Sequence, residues 1–316
     1  MGLALVCFLK MLHITNGESV VHGLRAGAIA GTYLSWLDVL HDGPVPLKAT
    51  LAEFSEIRAV ALASFGWAGV EEVREQFRIR DEMIRSFRDF DEVVLWFEHD
   101  LFDQLQLIQI LDFFSKEDLN GFPVSLIQID KHPEVVPFHG LGMLTGKQLA
   151  ELFPKRELVT AEQMASASEA WDAFRSPDPR RLLEVIERDL KGLPFLRAAL
   201  IRRMEEFPST REGLARTQRQ LLEAAAGGAR TKRDLYMRSQ RAERSPWGDA
   251  SIFLRLDGLG LALKAIGDDA YELTEFGRQL LEGTADWLSG TDAAWRWDPV
   301  ARTLVEPPCT PLRPVS

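Results

Sequence analysis

Residues 91–97 (DEVVLWF) restrict the fold of this chain more than any other segment. The run is apolar on both faces, at Val93, Val94, Leu95 and Trp96. A half-solvated strand alternates apolar and polar residues, whereas a strand covered on both sides does not. The segment therefore predicts a central strand with helices packed above and below. Its neighbours fit that reading. A short strand over 12–15 ends at Asn16-Gly17. A second over 33–40 is stopped by His41-Asp42-Gly43-Pro44, and another spans 123–129. Helical patterns cover 19–26, 51–65, 70–89 and 101–114. Strands alternating with helices predict an α/β fold, with a mostly parallel, Rossmann-like sheet and flanking helices over residues 11–150.

The later chain changes character. Residues 145–207 read as helical, broken at Pro177 and Pro179, with Pro194 opening a further helix, and 151–207 forms a helical region of its own. Residues 202–244 hold eleven basic side chains against six acidic ones, in a chain whose net charge is −10. Helical stretches over 214–226, 231–240 and 247–262 precede a strand-turn-strand pattern at 263–273 and a last helix over 275–281. This order predicts a winged-helix-like domain over 208–298. The proline-rich residues 299–316 read as a loose tail.

Acidic residues number 47 and basic residues 37, so the chain carries no overall basic footprint for nucleic acid. DNA binding stays only as an alternative for the local basic stretch. No apolar run reaches the ~18 residues of a membrane span. Cys7 and Cys309 lack any metal-ligand spacing, which fits a reducing cytoplasm. The first ten residues lack a basic n-region and a small-residue cleavage site. Val6 stands where a myristoylation signal requires Ser or Thr. Met11 opens the strand pattern, so the residues before it read as an upstream extension, with an ordered strand as the alternative.

In an open α/β sheet the loops at the carboxyl ends of the strands line one edge, and ligands bind there. That rule gathers Asn16, Gly17, Glu18, Ser19, His41, Asp42, Glu98, His99 and Asp100 at one rim. Asn16 to Ser19 is either a simple turn with a helix cap or a tight loop whose N–H groups hold an anion. His41-Asp42 precedes a backbone stiffened by Pro44 and Pro46, which suits a fixed acid/base pair or a metal ligand. Asp100 can cap the next helix, with Asp103 at its third position. Glu98 and His99 are not explained by capping. Ionisable groups emerging from an apolar strand have shifted pKa values and orient ligands. Gln104, with Gln106 and Gln109 beyond it, and His139 in the glycine-rich 139–142 loop complete the candidates. Neither a GxGxxG nor a Walker-type phosphate loop is present.

Three stretches resemble the signature segments of a bacterial family known only as a domain of unknown function, number eighteen thirty-five. They are residues 11–19 (MLHITNGES), 36–46 (WLDVLHDGPVP) and 95–106 (LWFEHDLFDQLQ). Residues 213–217 with Gln220, and 295–298, are similar to its later segments, so the resemblance spans about 11–298. The family usually has Asp at the position of Glu18 and Glu at that of Asp42. The resemblance implies a shared architecture and supplies no reaction.

These residues predict an enzyme. His41, Asp42, Glu98 and His99 are the catalytic candidates. Asn16, Gly17, Glu18, Ser19, Gln104 and His139 are the ligand-binding ones. His41, His99, Asp100 and Asp103 form the candidate set for a divalent metal. The expected chemistry is hydrolysis or group transfer on an anionic small molecule or nucleotide. The alternative is a ligand sensor whose winged-helix-like domain contacts nucleic acid or a protein. A homodimer is the oligomer considered, and no membrane partner is expected.

Overall fold

The computed structural model describes residues 9–289 and 295–306, so Cys7 and Cys309 and the question of the chain start lie outside the described residues. The fold is α/β. Five strands form one sheet in the order β2-β1-β3-β4-β5: β1 (Met11–Thr15), β2 (Thr32–Ser35), β3 (Glu92–Glu98), β4 (Val124–Ile129) and β5 (Glu157–Leu158). The first four are parallel and β5 is antiparallel. All seven residues of β3 are buried, as its unbroken apolar run requires.

Helices α1 (Glu18–Ala26), α2 (Leu51–Ser64), α3 (Val70–Arg85), α4 (Leu101–Ser115) and α5 (Gly146–Leu152) connect the strands, and α6 (Ala161–Phe174) follows β5. Val94, Trp96 and Ile127 share one core with Val20 and Leu24 of α1 and Leu149 of α5. The intervening Val93, Leu95 and Phe97 point to the opposite face and are just as buried. Each such apolar side chain contributes roughly 1.5–3 kcal/mol. Twelve of the fifteen α4 residues are buried, because α4 lies between the sheet and α6. Threonines fix several helix starts: Thr50, Thr145 and Thr160 each form a full capping box.

The chain divides into two units, one running to Ala199 and the other beginning at Leu200. Helices α7 (Arg180–Glu187) and α8 (Leu196–Met204) lead up to and across that division. The second unit contains α9 (Arg216–Ala226), α10 (Lys232–Ser239), α11 (Asp249–Asp257), the hairpin β6 (Leu263–Gly267) and β7 (Ala270–Leu273), then α12 (Glu275–Glu282). A further hairpin, β8 (Arg296–Asp298) with β9 (Thr303–Val305), follows.

Several expectations differ in detail. The second strand stops at Ser35 rather than at 40. Leu37 adopts a left-handed conformation (φ 55°), and the Asp38 carboxylate is taken by Arg58. The segment 145–207 is not wholly helical, since β5 pairs with Ser125 and Leu126 of β4. Within the expected tail, Thr303–Val305 is tied to β8, while residues 307–316 lie outside the described residues. No described helix is long and apolar enough to cross a membrane.

Candidate functional site

The strand order reverses between β1 and β3: the chain leaves β1 toward β2 and returns to β3 on the other side. In doubly wound sheets this is where the carboxyl ends open a crevice. Asn16 emerges there from β1, and Glu98, Asp100 and Asp103 emerge from β3 and the start of α4. The carboxylates of Glu98, Asp100 and Asp103 offer oxygens that all lie within 4.8 Å of one another. Glu98 and Asp103 are 5% and 0% exposed, while Asp100 is half-buried.

Short hydrogen bonds hold this group. The Asp100 carboxylate caps α4 by accepting from the Asp103 N–H at 2.9 Å. The reciprocal half of a capping box is not made. The Asp103 carboxylate turns back instead and accepts from the Glu98 N–H at 2.9 Å. Asn16 Nδ2 donates to Asp103 Oδ2 at 2.8 Å and to Glu98 Oε1 at 3.3 Å. Leu141 N–H donates to Glu98 Oε2 at 2.5 Å. The loop carrying Leu141 passes so close that a Cβ on Gly140 would stand 2.0 Å from Glu98 Oε1. Only glycine fits there.

The electrostatics are lopsided. Among the described residues no Lys or Arg forms an ion pair with any of the three carboxylates. Burial, then the charge of Asp100, pushes Glu98 up to about 8, against the Leu141 N–H and the Asn16 amide. Burial raises Asp100 to about 6, against backbone N–H groups of its own helix start. Asp103 is driven well above the usual carboxylate range by burial and by its two acidic neighbours. Like charges this close cannot all ionise without a counter-charge. The group therefore holds protons at neutral pH or takes up a cation.

The other expected residues are placed as follows. His41 Nε2 lies 3.5 Å from Asp42 Oδ2, with both side chains nearly closed off from solvent. The His41 ring packs edge-on against Phe102, the residue before Asp103. The His99 ring lies 6.2 Å from the rings of both Phe138 and Phe195. Side chains at a strand end point alternately to opposite sides, so 98 and 100 converge while 99 diverges. Of the expected metal set of His41, His99, Asp100 and Asp103, Asp100 and Asp103 lie together with Glu98, and neither histidine is in that group. Gly17 is the extended N-cap residue of α1, which has no side-chain cap. Glu18 and Ser19 are exposed. Gln104 Nε2 donates to the Glu98 carbonyl at 2.6 Å. His139 contributes its backbone N–H to Met143 Sδ. His13, within β1, is a core residue: burial lowers its pKa, and it accepts from Trp96 Nε1 at 3.2 Å.

Two supports hold the segment leading to His41 and Asp42; sequence reasoning missed the first and named the second only as candidate glutamines. Arg58 of α2 is fully buried and donates to Asp38 Oδ1 and to the carbonyls of Val39, Asp42 and Pro44. It staples the loop that carries His41 and Asp42. A lone arginine within the apolar stretch 57–63 is the signal that marks it. The second support is α4, where Gln106 Nε2 donates to the Asp38 carbonyl and Gln109 Oε1 accepts from Trp36 Nε1.

In the second unit part of the basic stretch is paired internally. Arg216 pairs with Glu205 and Glu243, Arg219 with Glu212 and Glu223, and Lys232 with Asp257. Set against known protein families and against curated proteins, the chain matches none.

Proposed function

We propose that the carboxyl edge between β1 and β3 is the active site of a divalent-cation-dependent enzyme. Its reaction is hydrolysis or group transfer on an anionic small molecule, with a phosphorylated compound or nucleotide as the substrate class. The observation that carries this reading is the group Glu98, Asp100 and Asp103, buried together with no cationic partner at a topological switch point. Buried carboxylates in such numbers are found where a metal or a proton is handled. A divalent cation held by these three would polarise a substrate oxygen and acidify a water. Asn16 fixes the spacing of Glu98 and Asp103. His41, oriented by Asp42, is the candidate proton acceptor. The α1 N-terminus, lacking a side-chain cap, presents its N–H groups and dipole to the anionic part of the substrate.

The test is calorimetric titration of tag-free protein with MnCl2, beside Glu98→Gln and Asp103→Asn. One cation per chain in the wild type, lost in both variants, supports the reading. A wild type that takes up no cation sinks it. Hydrolysis of a panel of phosphate esters then identifies the substrate.

A second reading concerns residues 208–298. The order α9, α10, α11, hairpin, α12 favours a winged-helix-like domain. The pairing of Arg216, Arg219 and Lys232 with carboxylates favours a protein partner over DNA. A mobility shift on duplex DNA that weakens steeply with salt would reverse that preference. In both readings the chain is taken as a cytoplasmic, homodimeric member of the family it resembles. Sedimentation velocity checks the dimer.

A further inference from the structure

We infer that the carboxylate group is built for a hard, oxygen-coordinated cation of the magnesium, manganese or calcium class, with the Gln104 amide oxygen as a neutral fourth ligand. The inference rests on reading the group as a cation site and adds which cation it takes and which further residue holds it. Two observations lead there independently. The first is the donor set. Glu98, Asp100 and Asp103 bring only oxygens, and neither His41 nor His99 comes within ligand spacing of them. Carboxylate and carbonyl oxygens select magnesium, calcium and manganese, whereas zinc and copper favour imidazole and thiolate. Oxygens within 4.8 Å of one another suit a cation with bonds of ~2.0–2.5 Å, where opposite ligands are twice that distance apart.

The second observation is Gln104. The residue is fully buried. Its Nε2 is anchored to the carbonyl of Glu98 at 2.6 Å, which fixes the amide beside the backbone of the acidic group. Its Oε1 is a buried acceptor with no donor. With its Nε2 on the Glu98 carbonyl and its Oε1 facing no donor, the amide keeps one polar end to be satisfied beside the backbone of the residue that brings the first carboxylate. A cation satisfies this oxygen and the carboxylates at once. Asn16 already occupies one side of Glu98 and Asp103. Asp100 is the ligand nearest solvent, which leaves the remaining positions to water or to an oxygen of the substrate.

The experiment compares Gln104→Met and Gln104→Glu in the full-length, tag-free chain. Manganese binding is followed by electron paramagnetic resonance and calorimetry, with zinc and calcium in competition. Both variants lose the Nε2 donor, but only the glutamate keeps an oxygen at the position. Coordination by Oε1 predicts that Gln104→Met weakens manganese binding ~10–100-fold while Gln104→Glu matches or exceeds the wild type. Calcium is then expected to compete and zinc to compete poorly. Equal weakening in the two variants would overturn the role of Gln104, leaving only its anchoring of the Glu98 carbonyl. Preferential zinc binding lost in His99→Ala would overturn the oxygen-only set. A wild-type protein that binds no cation would instead remove the parent reading, an outcome distinct from both. Should the methionine variant fail to fold, the metal competition order and the glutamate variant still decide the matter.

Discussion

Glu98 and Glu206 are both buried glutamates, one in each unit, and their surroundings drive them in opposite directions. Glu206, two residues past the end of α8, receives Arg202 Nη1 at 2.6 Å, Thr217 Oγ1 at 2.6 Å and Arg255 Nε at 3.3 Å. Burial pushes its pKa up, but the two arginines and the hydroxyl outweigh burial and bring it to about 2. Arg202 and Arg255 also lie against the Trp247 ring, so the surrounding charge is itself packed in place. Around Glu98 the same burial meets two more carboxylates and no arginine. Glu206 is thus held ionised by its cationic neighbours, whereas Glu98 and the carboxylates beside it must keep protons or take up a cation. Proteins break local rules where function requires it, and the imbalance at β3 is such a break.

The largest expected effect separates the two glutamates by one neutral substitution. Glu206→Gln removes the carboxylate that Arg202 and Arg255 share, leaving Arg202 the longer contact with Glu243 at 3.6 Å, and is expected to cost roughly 3–5 kcal/mol, read as a fall in the denaturant midpoint. Glu98→Gln removes a member of a repelling group and is expected to leave the midpoint unchanged or raise it. A drop of similar size in both variants would erase the contrast between the units. Gly140→Ala comes next. The added Cβ cannot share space with Glu98 Oε1, so the loop or the glutamate must move, at an expected cost of about 1–3 kcal/mol. Unchanged stability together with unchanged cation uptake would show that the 139–142 loop is not held against Glu98.

Acidity sharpens the contrast further. Glu206 has a depressed pKa, so its contribution is present above its ordinary value of 4.5 and is lost as pH falls through about 2. Glu98 has a raised pKa, so the sign reverses: full stability lies below 4.5 and declines as pH climbs through about 8. Hydrogen exchange resolved by peptide should show the second unit loosening first in acid and the first unit loosening toward pH 8. The reverse order would contradict both shifts. The smallest effect belongs to Arg78, an exposed α3 residue paired with Glu75 and Glu82. Arg78→Ala should move the melting temperature by no more than about a degree, since water already satisfies both partners.

The sequence makes β3 plain, because an apolar run covered on both faces leaves no other element type. It also shows that Glu98, His99 and Asp100 close the strand at the carboxyl edge of the sheet. Which of the three converge follows from strand alternation, a local rule that separates His99 from its neighbours. Leu141 was out of reach: its amide meets Glu98 from 43 residues away, and a glycine-rich loop has no periodicity from which to read its course. The end of β2 was equally hidden, since a leucine in the left-handed region carries no composition signal. Arg58 went unread although it is a lone charge in an apolar helical stretch, because Asp38, its partner, sits in a stretch that reads as ordinary strand. In the second unit the eleven basic residues are legible as a count. Which of them pair with carboxylates, as Arg202, Arg216, Arg219 and Lys232 do, depends on packing.

Helix α4 supplies Asp100, Asp103 and Gln104 at its start, and Gln106 and Gln109 hold the Asp38 carbonyl and the Trp36 indole of the segment leading to His41 and Asp42. Two parts of the site therefore share one rigid mount that is buried on nearly every side. Grafting this site into another sheet would require transplanting the whole helix together with its covering layer, because no short loop carries it. Within a lineage, the same helix would tolerate drift least at the polar positions that seem out of place in its apolar surroundings.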